Sequence, residues 1–319
     1  MSALMKALAA ALLALAAGSA SAQGMSAKPL RLIVPFGAGG AMDVIARAFS
    51  NELGVELGVP AIVENRPGAG ATIGASAVAK APPDGSTLLV ASASHSINGA
   101  LYSNLPYHPV KDFAAAAHFG HSTYILIINS DLPAKNVGEF IRYAKSQPGK
   151  LNYSSAGVGT VGHLSLAYLA GLTGLEMVHV PYKSSGEAAN EVASGRVQAT
   201  VAASIGTLAK DARVRPLGIT SLNRSRFYPE LPTLSESGLP GYEFDTWFGL
   251  LAPAGTPMEI QQRINSAVGK VMKDPAVLER WTRLGVEPRA LTVDAFTRLL
   301  QAESEKMAKV VQLTGAKVD

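Results

Sequence analysis

The chain has 319 residues, which at roughly 150 residues per domain implies about two domains. Its composition, 48% hydrophobic and 16% charged, is globular and excludes disorder throughout. The absence of cysteine excludes disulfides, zinc–thiolate sites, a thiol nucleophile and a lipid-modified N-terminal cysteine. A formal charge of +4 without a basic cluster speaks against nucleic acid and leaves an acidic small molecule compatible.

The first element is an export signal. After Lys6, Ala7–Ala17 is an unbroken run of Ala and Leu, and Ala20-Ser21-Ala22 has the A-x-A form that signal peptidase cleaves. The run is too short to cross a bilayer, which takes about 20 residues. Residues 1–22 therefore read as a cleaved signal peptide, and the product from Gln23 as a soluble periplasmic protein, away from ATP and nicotinamide cofactors.

From Leu30 onward, short β-branched runs, Gly/Ser/Pro turns and amphipathic stretches alternate. The pattern predicts strands at Leu30–Pro35, Ala61–Glu64, Thr87–Ala91, Tyr124–Ile128, Lys150–Tyr153, Met177–Val180, Val197–Val201 and Leu217–Thr220. Helices are predicted at Asp43–Leu57, Ile73–Lys80, Val137–Ser146, His163–Leu172, Glu187–Ala193, Pro257–Met272, Pro275–Leu284 and Val293–Leu313, the last three without a strand between them. Strand and helix in alternation imply an α/β protein with mostly parallel sheets. Residues 23–121 with 247–319 are expected to form one lobe and 122–246 the other, with crossovers near His118–Ser122 and Tyr242–Trp247 and the terminal helices returning to the first lobe.

Two segments share one design, a strand running through a glycine-rich turn into a helix. The first turn is Phe36-Gly37-Ala38-Gly39-Gly40-Ala41-Met42-Asp43; the second is Ser154-Ser155-Ala156-Gly157-Val158-Gly159-Thr160-Val161-Gly162-His163. The first N–H groups of a helix lack intrahelical partners and carry partial positive charge, so each turn is a candidate anion cradle. Ser154, Ser155 and Thr160 add hydroxyls. Three more loops follow predicted strands: Ser92 to Asn98, with Ser94 and His95; Pro181 to Gly186, with Tyr182, Lys183 and Ser184; and Ala202 to Thr207, with Ser204. For Ser184 and Ser185, capping of the helix that follows competes with ligand contact. Lys183 reads equally as a charge partner for a ligand and as a solvated lysine.

Other chemistries find no anchor. Gly157, Gly159 and Gly162 form a G-x-G-x-x-G, but the next strand is not closed by the acid that a dinucleotide site needs about 20 residues on. The six histidines make no H-E-x-x-H, and no G-x-S-x-G is present. No cofactor or metal is expected. Asp43, just inside its helix, is favourable against the helix dipole without any catalytic role.

These motifs resemble those of the Bug family, the extracytoplasmic solute receptors associated with tripartite tricarboxylate transporters. The resemblance runs over Pro29–Asp319 and is carried by Ile33-Val34-Pro35-Phe36 with Gly39-Gly40 and Asp43, by Val63-Glu64-Asn65-Arg66-Pro67-Gly68-Ala69-Gly70, and by Pro148-Gly149-Lys150-Leu151-Asn152-Tyr153. Val178-His179-Val180-Pro181-Tyr182-Lys183 and Trp247-Phe248-Gly249-Leu250 with Ala252-Pro253-Ala254-Gly255 add to it. It implies a type II periplasmic-binding-protein fold, a Venus flytrap whose two lobes close on a carboxylate held by amides, hydroxyls and waters. Carried over by motif, the contacts would come from Phe36–Asp43, Ser92–His95, Ser154–His163 and Tyr182–Ser185. Met42 stands where the family commonly has Ser or Thr, and Thr200-Val201-Ala202-Ala203-Ser204 lacks the family's acidic or amide residue. Both departures favour a plain or aromatic carboxylate over an amino acid. The expected function is capture of a small organic carboxylate without chemical change, with membrane components of such a transporter as partners. A receptor serving a membrane sensor kinase and an exported enzyme acting on a small acid are the alternatives.

Overall fold

The computed structural model describes residues 28–182, 184–202 and 211–316. The chain opens with β1 (Leu30–Val34), α1 (Ala41–Arg47), α2 (Ser50–Leu57), β2 (Ala61–Asn65), a short 3₁₀ turn (Ala69–Ala71), α3 (Thr72–Ala79), β3 (Thr87–Ser92), α4 (Ala93–Leu101) and β4 (Phe113–Ser122). It continues with β5 (Ile125–Asn129), α5 (Val137–Lys145), β6 (Leu151–Ser155), α6 (Val161–Thr173), β7 (Met177–Pro181), α7 (Ser185–Ala193), β8 (Ala199–Ala202) and β9 (Val214–Ile219). Last come β10 (Thr246–Pro253), α8 (Met258–Val271), α9 (Pro275–Arg283), β11 (Glu287–Leu291) and α10 (Val293–Thr314).

The strands form two sheets, of order β11-β4-β10-β3-β1-β2 and β7-β6-β8-β5-β9. The chain passes from the first to the second between Ser122 and Ile125, and back between Ile219 and Thr246. The sheets are mixed, where mostly parallel ones were expected. Helical crossovers make β2-β1-β3 and β7-β6-β8 parallel. The strand by which the chain enters each sheet from the other arrives from the opposite end, so β10 runs antiparallel to β3 and β4, and β5 to β8 and β9.

The remaining differences from the predicted elements come from packing against distant parts of the chain. The predicted Asp43–Leu57 helix is broken at Phe49 (φ −135°, ψ −4°), whose fully buried ring packs 5.0 Å from Phe119 and 5.4 Å from Trp281; core packing overrides local propensity there. No predicted element covers Phe113-Ala114-Ala115-Ala116-Ala117, which opens β4, a strand flanked by β10 and β11. Its small side chains admit helices onto the sheet, and α10 brings Phe296 so close to β10 that a Cβ at Gly249 would lie 2.4 Å from the ring. β11 separates the last two helices, contrary to the uninterrupted helical run expected.

Each sheet has its own core. Ile33, Leu89, Leu251 and Phe296 belong to one side of the first sheet, and Leu126, Phe140, Leu164 and Tyr242 to the second. Helix α10 serves both: Phe296 and Leu300 pack on the first, whereas Met307 and Val310 lie in the cluster of the second. Helix α10 thus reaches beyond the first unit, to which the terminal helices were expected to return.

Candidate functional site

The first glycine turn follows β1, and Gly39 bends it with φ +77°, a conformation that favours glycine. The bend aims the Gly39 N–H at the Asp43 carboxylate, with N···Oδ2 2.9 Å. The other Asp43 oxygen accepts from Arg47 Nε at 2.9 Å and Asn65 Nδ2 at 3.0 Å, and Asn65 Nδ2 also donates to the Phe36 carbonyl at 3.1 Å. Asp43 is 3% exposed. The hydrogen bond from Arg47 foremost, with those from Gly39 and Asn65, holds its pKa below the ordinary carboxylate value against the opposing effect of burial. The structure thus places Asp43 in the internal bracing of the turn. Phe36, Ala41 and Met42 line a cavity, whereas Gly37, Ala38, Gly39 and Gly40 lie exposed beside it.

The second turn repeats the geometry with a different chemical filling. Gly159, φ +76°, donates its N–H to Nδ1 of His163 at 3.2 Å, again four residues on. Burial drives the His163 pKa down to about 4, so the ring is neutral at pH 7, and acceptance at Nδ1 leaves its proton on Nε2. It stacks on His179 at 4.0 Å between centroids. Thr160 caps α6 by accepting from the His163 N–H at 3.4 Å, and donates to the Gly157 carbonyl at 2.8 Å. Ser155 Oγ donates to the Gly157 carbonyl at 2.9 Å and lies 2.7 Å from His179 Nε2. Gly162 is required by close approach, since a Cβ there would sit 2.6 Å from the Val201 carbonyl oxygen.

Two adjoining chambers lie at these turns. The larger, about 560 Å³, opens between the sheets, beyond the ends of β1 and β3 where an α/β sheet takes its ligands. The first unit supplies Phe36, Met42, Ile45, Ile97, Leu101 and Phe248 to its wall, Leu284 stands after α9, and Val158-Gly159-Thr160-Val161 close it from the second turn. Among the described residues its lining contains no charged side chain or histidine. The smaller, about 200 Å³, lies where the N-termini of α6 and α7 meet and is lined by Ser155, Thr160, Gly162, Ser185 and Thr200. Tyr124, Thr160 and Val161 line both. Burial, with the nearby Asp245 charge, raises the Tyr124 pKa to about 12, so its phenol stays protonated and able to donate.

The other predicted residues are dispersed. Ser92 and Ser94 line the large chamber, their hydroxyls 2.9 Å apart. His95 is turned into the core of the first unit: 4% exposed, its Nε2 2.8 Å from the Pro109 carbonyl, its ring against Tyr107 and Phe113, and its pKa down to about 4 through burial. Ser154 is fully buried and donates to the Ala188 carbonyl at 2.8 Å. Gly157 and His163 sit behind the chamber walls. Tyr182 packs beside the second core and donates to Glu191 at 3.4 Å, and Ser184 caps α7 by accepting the Glu187 N–H at 3.2 Å. Ser204 and Lys183 lie outside the described residues.

Sequence reasoning missed much of the large chamber: Leu101 on α4 and Tyr102 just after it, Ser122 and Tyr124 at the first crossing, Thr246 and Phe248 on β10; Ile97 and Asn98 fell in a loop singled out only for its hydroxyls. The spacing of Ile97, Asn98 and Leu101, at i, i+1 and i+4, is the one available signal, and it points to a helix where a loop was expected.

Two α/β units with a ligand-sized cavity at their junction define the class: a solute-binding protein of two-lobed, type II periplasmic-binding-protein fold. The chain belongs to the tripartite tricarboxylate transporter receptor family, whose model, described as Tripartite tricarboxylate transporter family receptor, matches residues 45–316. It is similar to Protein BugT of Bordetella pertussis (strain Tohama I), 32% identical over 306 residues, 95% of this chain and 94% of BugT. Two similar solved structures are R. palustris Rpa4515 with adipate, at 32% identity and TM-score 0.76, covering 91% of this chain and 99% of that one, and MatC (Rpa3494) from Rhodopseudomonas palustris with bound malate, at 32% identity and TM-score 0.71, covering 89% and 99%. The resemblance read from the motifs is therefore a family membership. Its members are extracytoplasmic solute receptors, and the chain is a solute-binding protein rather than an enzyme.

Proposed function

We propose that this protein is an exported periplasmic receptor that captures a small organic carboxylate between its lobes, residues 23–121 with 247–319 and residues 122–246, and delivers it to the membrane components of a tripartite tricarboxylate-type transporter. One observation carries the reading: a polar pocket where two helix N-termini meet opens, across Tyr124, Thr160 and Val161, into a charge-free chamber between the sheets. The carboxylate sits in the pocket, where the first amides of α6 and α7 have no carbonyl one turn back and carry partial positive charge. The Ser185 hydroxyl and the protonated Tyr124 phenol complete its shell, and the carbon skeleton enters the chamber. Both lobes touch such a ligand only when they are together, so binding favours the closed arrangement by its differential affinity.

Adipate and malate occupy the Rhodopseudomonas structures, which supports an acid as the ligand class. The test is a thermal-shift panel of carboxylic acids and their amides. A true ligand at 100 times its Kd stabilises by about 2.7 kcal/mol, and its uncharged amide leaves the melting temperature where it was. No shift with any acid, confirmed by calorimetric titration, would reject the reading. N-terminal sequencing of the periplasmic fraction checks the export step, with Gln23 as the expected first residue.

A further inference from the structure

The two glycine turns look alike and are electrically different. In each, a left-handed glycine donates its N–H to the side chain four residues on; in the first turn that acceptor is the Asp43 carboxylate, in the second the His163 imidazole. The first turn therefore already contains an anion, braced by Arg47 and Asn65. The Asp43 carboxylate already takes the Gly39 amide that a ligand anion would need beside the chamber wall at Ala41 and Met42. The second turn holds a neutral ring, and the N-terminus of α6 has no carboxylate in its first turn, whereas that of α7 carries Glu187.

Among the described residues the chamber itself offers no substitute counter-charge. Among the described residues no lysine, arginine or histidine lines it, and several of its polar groups are already engaged: Ser122 donates to the Gly285 carbonyl at 2.6 Å, the Asn98 amide to the Gly70 carbonyl, and Ser92 and Ser94 pair with each other. The rest of the wall is hydrocarbon and aromatic ring apart from the hydroxyls of Tyr102, Tyr124, Thr160 and Thr246. A carboxylate moved from water to such a surface loses hydration that no ionic partner restores, whereas a methyl or phenyl group gains by the burial.

We infer that the site takes an acid with a single carboxylate and an apolar body, the carboxylate in the pocket at α6 and α7 and the apolar end against Met42, Ile45, Ile97 and Phe248, and that it discriminates against acids charged at both ends. This rests on the carboxylate-receptor reading and narrows it. The diacids bound in the Rhodopseudomonas structures are thus not the class this chamber fits.

Hexanoate and adipate provide the test, because they differ only in a terminal methyl against a terminal carboxylate; phenylacetate and malate extend the pair. In isothermal titration of the full mature chain at pH 7.5, hexanoate or phenylacetate binds at least tenfold more tightly than adipate or malate. A second arm uses Leu284→Arg, which places a guanidinium at the chamber rim on a side chain already 37% exposed. The ratio of adipate to hexanoate affinity rises at least tenfold in that variant. Adipate or malate binding as tightly as the monoacids would overturn the inference while leaving the receptor reading intact. Failure of every acid, mono- or di-, would reject the receptor reading and the inference with it.

Discussion

Replacing Asp43 by asparagine separates a brace from a ligand contact. The Asp43 carboxylate accepts three hydrogen bonds of 2.9–3.0 Å, from Gly39 N–H, Arg47 Nε and Asn65 Nδ2. Hydrogen bonds to a charged group contribute about 1.5–3 kcal/mol each when buried. The Arg47 side chain is half-exposed, so that pair is screened and is worth about 0–1 kcal/mol, and the exposed Gly39 amide regains water when released. Asparagine keeps one acceptor and turns an NH₂ toward a donor. The expected loss is about 2 kcal/mol, a fall in melting temperature of roughly 3 °C for a chain of this size. The pKa of Asp43 is lowered in the folded chain, chiefly by Arg47. Its stabilisation is therefore complete above the ordinary value of 3.8 and disappears as pH falls through the lowered one. Wild type and variant should differ equally at pH 5 and pH 8 and converge in strong acid. Urea and thermal unfolding without ligand, followed by circular dichroism across that range, read the stability, and titration with hexanoate reads the site. A variant of wild-type stability that has lost binding more than tenfold would refute the bracing role and put Asp43 against the ligand.

Three further outcomes follow from single contacts. Gly162→Ala drives a Cβ to 2.6 Å from the Val201 carbonyl; α6 must move off β8 at a cost of about 1–3 kcal/mol, and a melting temperature unchanged from wild type would show that the helix is not held there. Ser154→Ala removes the hydrogen bond to the Ala188 carbonyl and lowers stability by about 1 kcal/mol, with ligand affinity unchanged; a loss of affinity without a loss of stability would return Ser154 to the site. Asp245 is pushed up to about 7 by burial first and by neighbouring Glu243 second, against the pull of Lys306. Between 3.8 and about 7 the folded chain keeps a proton that the unfolded chain has released, so stability declines as pH rises through that window. Asp245→Asn abolishes the decline and is more stable than wild type at pH 8 by about 1–3 kcal/mol; parallel pH–stability curves for the two proteins would contradict it.

Much of the architecture was legible in the chain alone because it rests on short-range patterns. Alternating β-branched runs and amphipathic stretches marked eight strands and most helices, and the two turns announced themselves by glycines ahead of a helix. The family could be read from motifs spread over the mature length. What failed was everything decided by distant partners. An alanine-rich stretch became the central strand β4 because β10 and β11 flank it and α8 and α10 pack over it. A serine-rich segment became α4, and its apolar face supplies a wall of the chamber.

The glycine turns show the division most plainly. Sequence alone determined that both exist and that each leads into a helix, since glycine's backbone freedom and the unpaired amides of a first helical turn are local properties. Only the tertiary structure decided what each turn does with its amides. Asp43 and His163 stand at the same offset from their glycines; Arg47 on the same helix does most to hold the first as an anion and Asn65, brought in by a neighbouring strand, completes its brace, while burial against His179 keeps the other uncharged. Charge and solvation depend on what packs around a group, which no run of adjacent residues encodes.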